Sequence, residues 1–172
     1  MPESVPDFRP ILAALSANNV RFVVIGGLAM TAHGSAHVTQ DIDLGYSRSR
    51  ENIEAIARAL AEFHPRFTNF PADLPFVWDE KTLRAAANVT LDARIPLDSE
   101  VTRIDLLGDI AGIASFEELW QRSIETELYG MAIRVASVDD LIAMKNAANR
   151  PKDQNHLLEL LALKRLIEVE QS

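Results

Sequence analysis

The sequence predicts an α/β (α+β) fold: a small mixed β-sheet flanked by helices, followed by a helical C-terminal segment. Three observations carry that expectation. Short β-branched runs such as "VRFVVIGG" (20–27) alternate with amphipathic stretches such as "SRENIEAIARALAEF" (49–63). Period-two segments, "NVTLDARI" (88–95) and "VTRIDLLGDI" (101–110), occupy the middle of the chain. From Ser137 onward the pattern is helical only, which divides the chain into a core of residues 1–136 and a packed helical segment of residues 137–172.

The elements follow in order. Phe8, Ile11, Leu12 and Leu15 share one face of a helix over 8–19, and Asn18-Asn19 closes it. The buried strand that follows stops at Gly26. "GLAMTAH" (27–33) is a short helix with Gly34 as its stop, and "DIDLGY" (41–46) is a strand. Ser49 caps the next helix, whose apolar face is Ile53, Ile56, Ala57 and Leu60, with Glu51 near its positive end. Between 64 and 98 the chain carries Pro65, Pro71, Pro75 and Pro96, and only 88–95 reads clearly as an element. "SFEELWQRS" (115–123) opens with a capping-box spacing, Ser115 to Glu118. "ETELYGMAIRVAS" (125–137) is a hairpin turning at Tyr129-Gly130. Ser137 and Asp140 repeat the capping spacing before "VDDLIAMKNAANR", and Pro151 suits the first turn of a final helix.

Composition bounds the function. Apolar residues make up 48% of 172, enough for a sizeable core. The net charge is −8, with 25 acids against 17 bases, which argues against non-specific DNA binding through phosphate neutralisation. The same balance weighs against RNA as a partner. There is no cysteine, so thiolate metal sites and disulfides are excluded. No signal-peptide pattern and no run of membrane-spanning length is seen, so a soluble cytoplasmic protein without a membrane partner is expected.

The stretch "VIGGLAMTAHGSAHVTQDIDLGY" (24–46) breaks local rules twice. Glycine weakens strands and helices, and aspartate is depleted from strands. Asp41 and Asp43 sit at i and i+2 of one strand and project together, while Ile42 and Leu44 face the other way. Two neighbouring carboxylates suit a hard divalent cation that also binds phosphate oxygens; on its own the pattern equally fits two solvated acids. A strand ending in Gly26-Gly27 before a short helix lets a phosphate approach the main chain, though a tight turn gives the same pattern. Together the two features place a phosphate cradle and a metal pair on neighbouring strands, as phosphoryl or nucleotidyl transfer requires. Asp105, between Ile104 and Leu106, is the third acid; Asp92 is its rival, and pairing with Arg103 or Arg94 is the structural alternative.

"GGLAMTAHGSAHVTQDIDL" and "DDLIAMKNAANRPKD" resemble the DNA polymerase β-type nucleotidyltransferase superfamily. Within it they are similar to the bacterial abortive-infection (AbiEii-like) nucleotidyltransferase toxins of toxin–antitoxin systems. The resemblance runs from about residue 21 to 160. It implies a nucleotidyltransferase fold and Mg²⁺-dependent transfer of a nucleoside monophosphate from an NTP, with Mn²⁺ as the other candidate ion. The acceptor it implies is tRNA, a protein or a small molecule, and an antitoxin protein is an implied partner. Carried over residue by residue, Gly26, Gly27, Thr39 and Lys145 contact the nucleotide, and Asp41, Asp43 and Asp105 hold metal. Lys145 and Asp153 join these acids as catalytic residues; without the resemblance both read as helix-surface charges. His33 reads as a helix-end hydrogen bonder. One position departs from the pattern: His37 stands where relatives carry arginine, and Arg48 and Arg50 are the candidates to replace its charge. That departure supports the alternative reading, a catalytically impaired nucleotide-binding or protein-interaction module.

Overall fold

The computed structural model describes residues 5–96 and 100–172. Its sheet has seven strands in the order β3-β4-β5-β2-β1-β7-β6. The strands are β1 (Phe22–Ile25), β2 (Asp41–Tyr46), β3 (Arg66–Phe67), β4 (Asn88–Arg94), β5 (Val101–Leu107), β6 (Ile124–Leu128) and β7 (Met131–Val135). The helices are α1 (Arg9–Ala17), α2 (Gly26–Ala32), α3 (Arg50–Leu60), α4 (Glu80–Ala85), α5 (Phe116–Arg122), α6 (Val138–Ala148) and α7 (Gln154–Glu170). Parallel pairing joins β2 to β5 and β1 to β7, and the other neighbours are antiparallel, so the sheet is mixed as expected.

Alternation assigns each sheet face its role. Ile42 and Leu44 of β2, Ile104 and Leu106 of β5, and Val89, Leu91 and Ala93 of β4 are all buried. They form one core with Ile11, Leu12 and Leu15 of α1 and Ile53, Ile56 and Leu60 of α3. The intervening residues, Asp41, Asp43, Arg103, Asp105, Thr90 and Asp92, escape that core.

The expected caps are present. Ser49, Ser115 and Ser137 accept from the backbone N–H groups of Asn52, Glu118 and Asp140. Tyr129 and Gly130 both take positive φ in the β6–β7 turn. The sequence reading misses α4, which Asp79 caps by accepting from Lys81 and Thr82. That helix has six residues and buries only Leu83, too little to show a helical period.

The helical C-terminal segment contributes Leu141 and Leu160 to the core. Asn149 adopts a left-handed φ of 46° at the end of α6, and a 3₁₀ turn over Pro151–Asp153 then leads into α7. Among the described residues no helix is long and apolar enough to cross a membrane.

Asn52 joins α3 to both central strands. Its buried side chain accepts from Arg21 N at 2.7 Å and donates to the carbonyls of Arg21 (3.0 Å) and Ser47 (2.8 Å). Truncation removes the Asn52 partner of the Arg21 N–H and of the Ser47 carbonyl, while the Arg21 carbonyl keeps the Ser47 N–H at 3.3 Å. Asn52→Ala is expected to lower stability by about 2–3 kcal/mol, readable by urea denaturation.

Candidate active site

The site begins where β1 ends. In the antiparallel β1–β2 pair Ile25 lies opposite Asp43, so the next residue, Gly26, turns beside the Asp43 carboxylate. Gly26 has φ +65°, and a Cβ there would overlap the Asp43 Oδ2 atom. Gly27 is equally confined: a Cβ would lie 2.9 Å from the Cβ of Thr39 and 3.2 Å from the Cδ2 of His37. The Thr39 hydroxyl donates to the Asp41 carbonyl at 2.8 Å, which pins the loop entering β2. The glycine turn and the aspartates therefore lie on the same side of the sheet.

Parallel register brings the third carboxylate in. Asp43 is level with Asp105 and Asp41 with Arg103 on β5. Thr90 of β4 donates to Asp105 Oδ1 at 2.6 Å. Asp92 instead accepts from Thr68 at 2.9 Å and pairs with Arg103 at 3.7 Å. Of the two rival acids, Asp105 is the one beside Asp43.

Two half-buried carboxylates this close cannot both ionise cheaply. Burial first, then a hydrogen bond from the shared proton with Asp105 and the charges of Asp105 and Asp41, push the Asp43 carboxyl up to about 7; Lys145 opposes this. Burial also raises Asp41, against the pull of Arg103.

A cleft of about 310 Å³ opens beside Asp43. Asp43, Asn88, Asp109, Lys145 and Arg150 supply its polar side chains, and Met30, Leu107, Ile110 and Met144 line its apolar walls. Lys145, on α6, therefore faces the same space as Asp43. Asp153 sits behind it, buried, accepting from Lys145 Nζ at 2.9 Å and from Arg150 Nε at 2.6 Å and Nη2 at 3.2 Å. The Arg150 and Lys145 hydrogen bonds hold the Asp153 carboxyl down at about 2. Lys145 and Asp153 are thus a buried ion pair, and reading them as solvated helix charges does not hold.

Arg48 and Arg50 do not replace the charge expected at position 37. Arg48 donates to the Leu83, Ala86 and Arg84 carbonyls and to the Tyr46 hydroxyl, closing the end of α4. Arg50 pairs with Glu54 one turn along α3. The cations lining the cleft are Lys145 and Arg150, and the sequence reading gave Arg150 no role. It also passed over Thr90 and His156, whose positions depend on strand pairing and on the α6–α7 corner. His33 meets its expectation, its Nε2 lying 2.8 Å from the Ala136 carbonyl at the end of α2.

The donor set suits a hard divalent cation: carboxylate oxygens, a main chain able to approach closely at Gly26, and a proton that an ion could displace. Among the described residues, however, no three His, Asp or Glu side chains are placed so that all could hold one ion. Asp43 and Asp105 are level on neighbouring strands, and Asp41 lies two residues before Asp43.

Two outcomes follow. Gly26→Ala forces a Cβ into the Asp43 carboxylate in a left-handed backbone, so it should abolish nucleotide-induced thermal stabilisation even where the variant folds. The second concerns pH. The Asp43 pKa is about 7 in the fold against 3.8 for the ordinary group, so the bound proton stabilises fully below about 3.8 and is lost as pH rises through about 7. The metal-free protein should therefore melt lower at pH 8 than at pH 5. Asp43→Asn, which cannot ionise, should flatten that slope and melt above the parent at pH 8.

Comparison with solved structures gives the same fold. A crystal structure of ANT(2″)-Ia in complex with adenylyl-2″-tobramycin superposes with a TM-score of 0.58 at 16% identity, covering 95% of this chain and 89% of that one. A solution structure of the antibiotic-resistance factor ANT(2″)-Ia gives 0.56 at 18% identity, over 95% and 83%. A candidate nucleotidyltransferase from Thermotoga maritima gives 0.51 at 19%, over 94% and 90%. No curated protein sequence matches. Residues 10–157 match the family described as nucleotidyl transferase AbiEii toxin, type IV toxin–antitoxin system. With the glycine turn, the carboxylates and the Lys145–Asp153 corner all inside that span, the chain belongs to the AbiEii nucleotidyltransferase toxin family.

Proposed function

We propose that this protein transfers a nucleoside monophosphate from an NTP to an acceptor hydroxyl in a Mg²⁺-dependent reaction, releasing pyrophosphate, and acts as the toxin of a pair with a cognate antitoxin. The observation that carries this reading is the Asp43–Asp105 pair, level on parallel strands and facing the Gly26 turn and Lys145. The cation would be held by two of these acids, Asp43 with Asp41 or Asp105, together with triphosphate oxygens, and would neutralise charge on the triphosphate and on the attacking oxygen.

The chain's own residues do the rest. Gly26 and Gly27 let the triphosphate lie against the main chain, and Thr39 holds the loop that walls it in. Lys145 presents its ammonium to the phosphates, fixed by Asp153, while Arg150 adds a second cation at the cleft. Asp105, held by a hydrogen bond from the Thr90 hydroxyl, would accept the proton of the acceptor hydroxyl. The apolar walls at Leu107, Ile110 and Met144 leave room for a base.

The test measures pyrophosphate release from each NTP with Mg²⁺ and a bacterial extract as acceptor source, for the parent, Asp43→Asn and Lys145→Ala. Both variants should fall by at least about 100-fold, the scale of losing one charge-stabilising group, while staying folded. Release by Asp43→Asn at the parent rate would sink the metal assignment. NTP-induced stabilisation without any release would leave a binding module.

A further inference from the structure

His37, in the loop before β2, and His156, in the first turn of α7, stand edge to face with ring centroids 4.7 Å apart. The pair connects the glycine turn to Lys145. On one side the His37 Cδ2 lies 3.2 Å from where a Cβ would sit on Gly27, so the ring borders the glycine turn. On the other side the His156 Nδ1 lies 3.3 Å from Lys145 Nζ.

That second contact decides which ring can carry a proton. An ammonium has donors and no lone pair, so a hydrogen bond to it requires His156 Nδ1 to be an acceptor. His156 is then neutral, with its proton on Nε2. Burial first, then the charges of Lys145 and His37, push the His156 pKa down, which agrees with the contact. A second charge on His156 would point an N–H at Lys145 and break the contact that fixes it.

The surrounding charges leave His37 available. Asp153, from the corner, is taken up by Lys145 and Arg150. Glu159, one turn further along α7, accepts from the Ser35 hydroxyl, and the Ser35 oxygen in turn accepts the His37 backbone N–H. Asp43 lines the same cleft as Lys145, and the His37 ring is not part of that lining. Among the described residues no carboxylate pairs with the His37 ring.

We propose that His37 is a phosphate-binding residue of the nucleotide site that gains its charge by taking up one proton from solvent when the triphosphate binds, while His156 stays neutral and acts as a positioning residue for Lys145. This rests on the nucleotidyl-transfer reading, because the triphosphate must lie on the Gly26–Gly27 turn for His37 to reach it. Such a site binds more tightly as pH falls toward 6, unlike one built on a permanent guanidinium.

Two measurements test it. NMR titration of the free protein should show His156 neutral in its Nε2–H form between pH 6 and 8 while His37 takes up the proton; His156 titrating first overturns the proposal. Calorimetry with inorganic triphosphate should show affinity rising as pH drops from 8 to 6, by at most about tenfold per pH unit for one linked proton. His37→Gln should flatten that rise and His37→Arg should bind tightly at both ends. The probe's own protonation is common to all three proteins, so their difference reports position 37. Equal profiles for parent and His37→Gln, or no triphosphate binding, overturn the proposal. Normal pyrophosphate release with pH-independent binding would sink the proton linkage alone. Proton-linked binding without release would sink the transfer reading alone.

Discussion

The contact between Asp43 and Asp105 governs the arrangement of this protein. Parallel pairing of β2 with β5 sets the two carboxylates level, and burial together with the Asp105 charge pushes the Asp43 carboxyl upward. Neighbouring features answer that constraint. Gly26 has no Cβ because Asp43 occupies the space, Thr90 orients Asp105, and Lys145 supplies the positive potential that partly offsets the acids. A hydrophobic pair at these positions would fit the sheet more comfortably. The acids instead give this part of the sheet a charged face, which the proposed nucleotidyl transfer would use.

The second organising element is the corner between α6 and α7. Asp153 gathers Lys145 and Arg150 around one buried carboxylate, and His156 takes another of the Lys145 donors. A lysine held from two sides has little rotamer freedom left, so under the proposed function it would meet a phosphate with less entropy to lose. The left-handed Asn149 and the turn at Pro151 reverse the chain tightly enough for both helices to present these side chains together. The helical segment thus completes the cleft as well as covering the sheet. Its Lys145 and Arg150 ion pairs meet at the buried Asp153 carboxylate, which joins the end of α6 to the start of α7.

Much of the fold was legible because it rests on short-range rules. The caps at Ser49, Ser115 and Ser137 depend on residues three apart, and the alternation of β4 and β5 depends on residues two apart. The paired projection of Asp41 and Asp43 is likewise a property of one strand. Six-residue α4 and two-residue β3 escaped because they are too short for a period to emerge. Arg48 and Arg50 were misjudged for a related reason: closeness to the DIDLGY strand in sequence says nothing about which way a long side chain runs. Arg48 turned toward the open carbonyls of α4, an element the sequence pattern did not reveal.

By itself the sequence determined a glycine turn, a pair of acids on one strand face, a mixed α/β order and a helical end, together with the family resemblance those motifs carry. Only the tertiary structure decided that Asp105 and not Asp92 stands beside Asp43, because that follows from register between strands about sixty residues apart. It alone decided that Lys145 and Asp153 are a buried pair, that Arg150 lines the cleft, and that His37 meets His156. Each of these is a contact between residues whose separation is set by packing. Local propensity specifies which way a side chain leaves its own strand or helix; what it meets there depends on which element the core brings alongside.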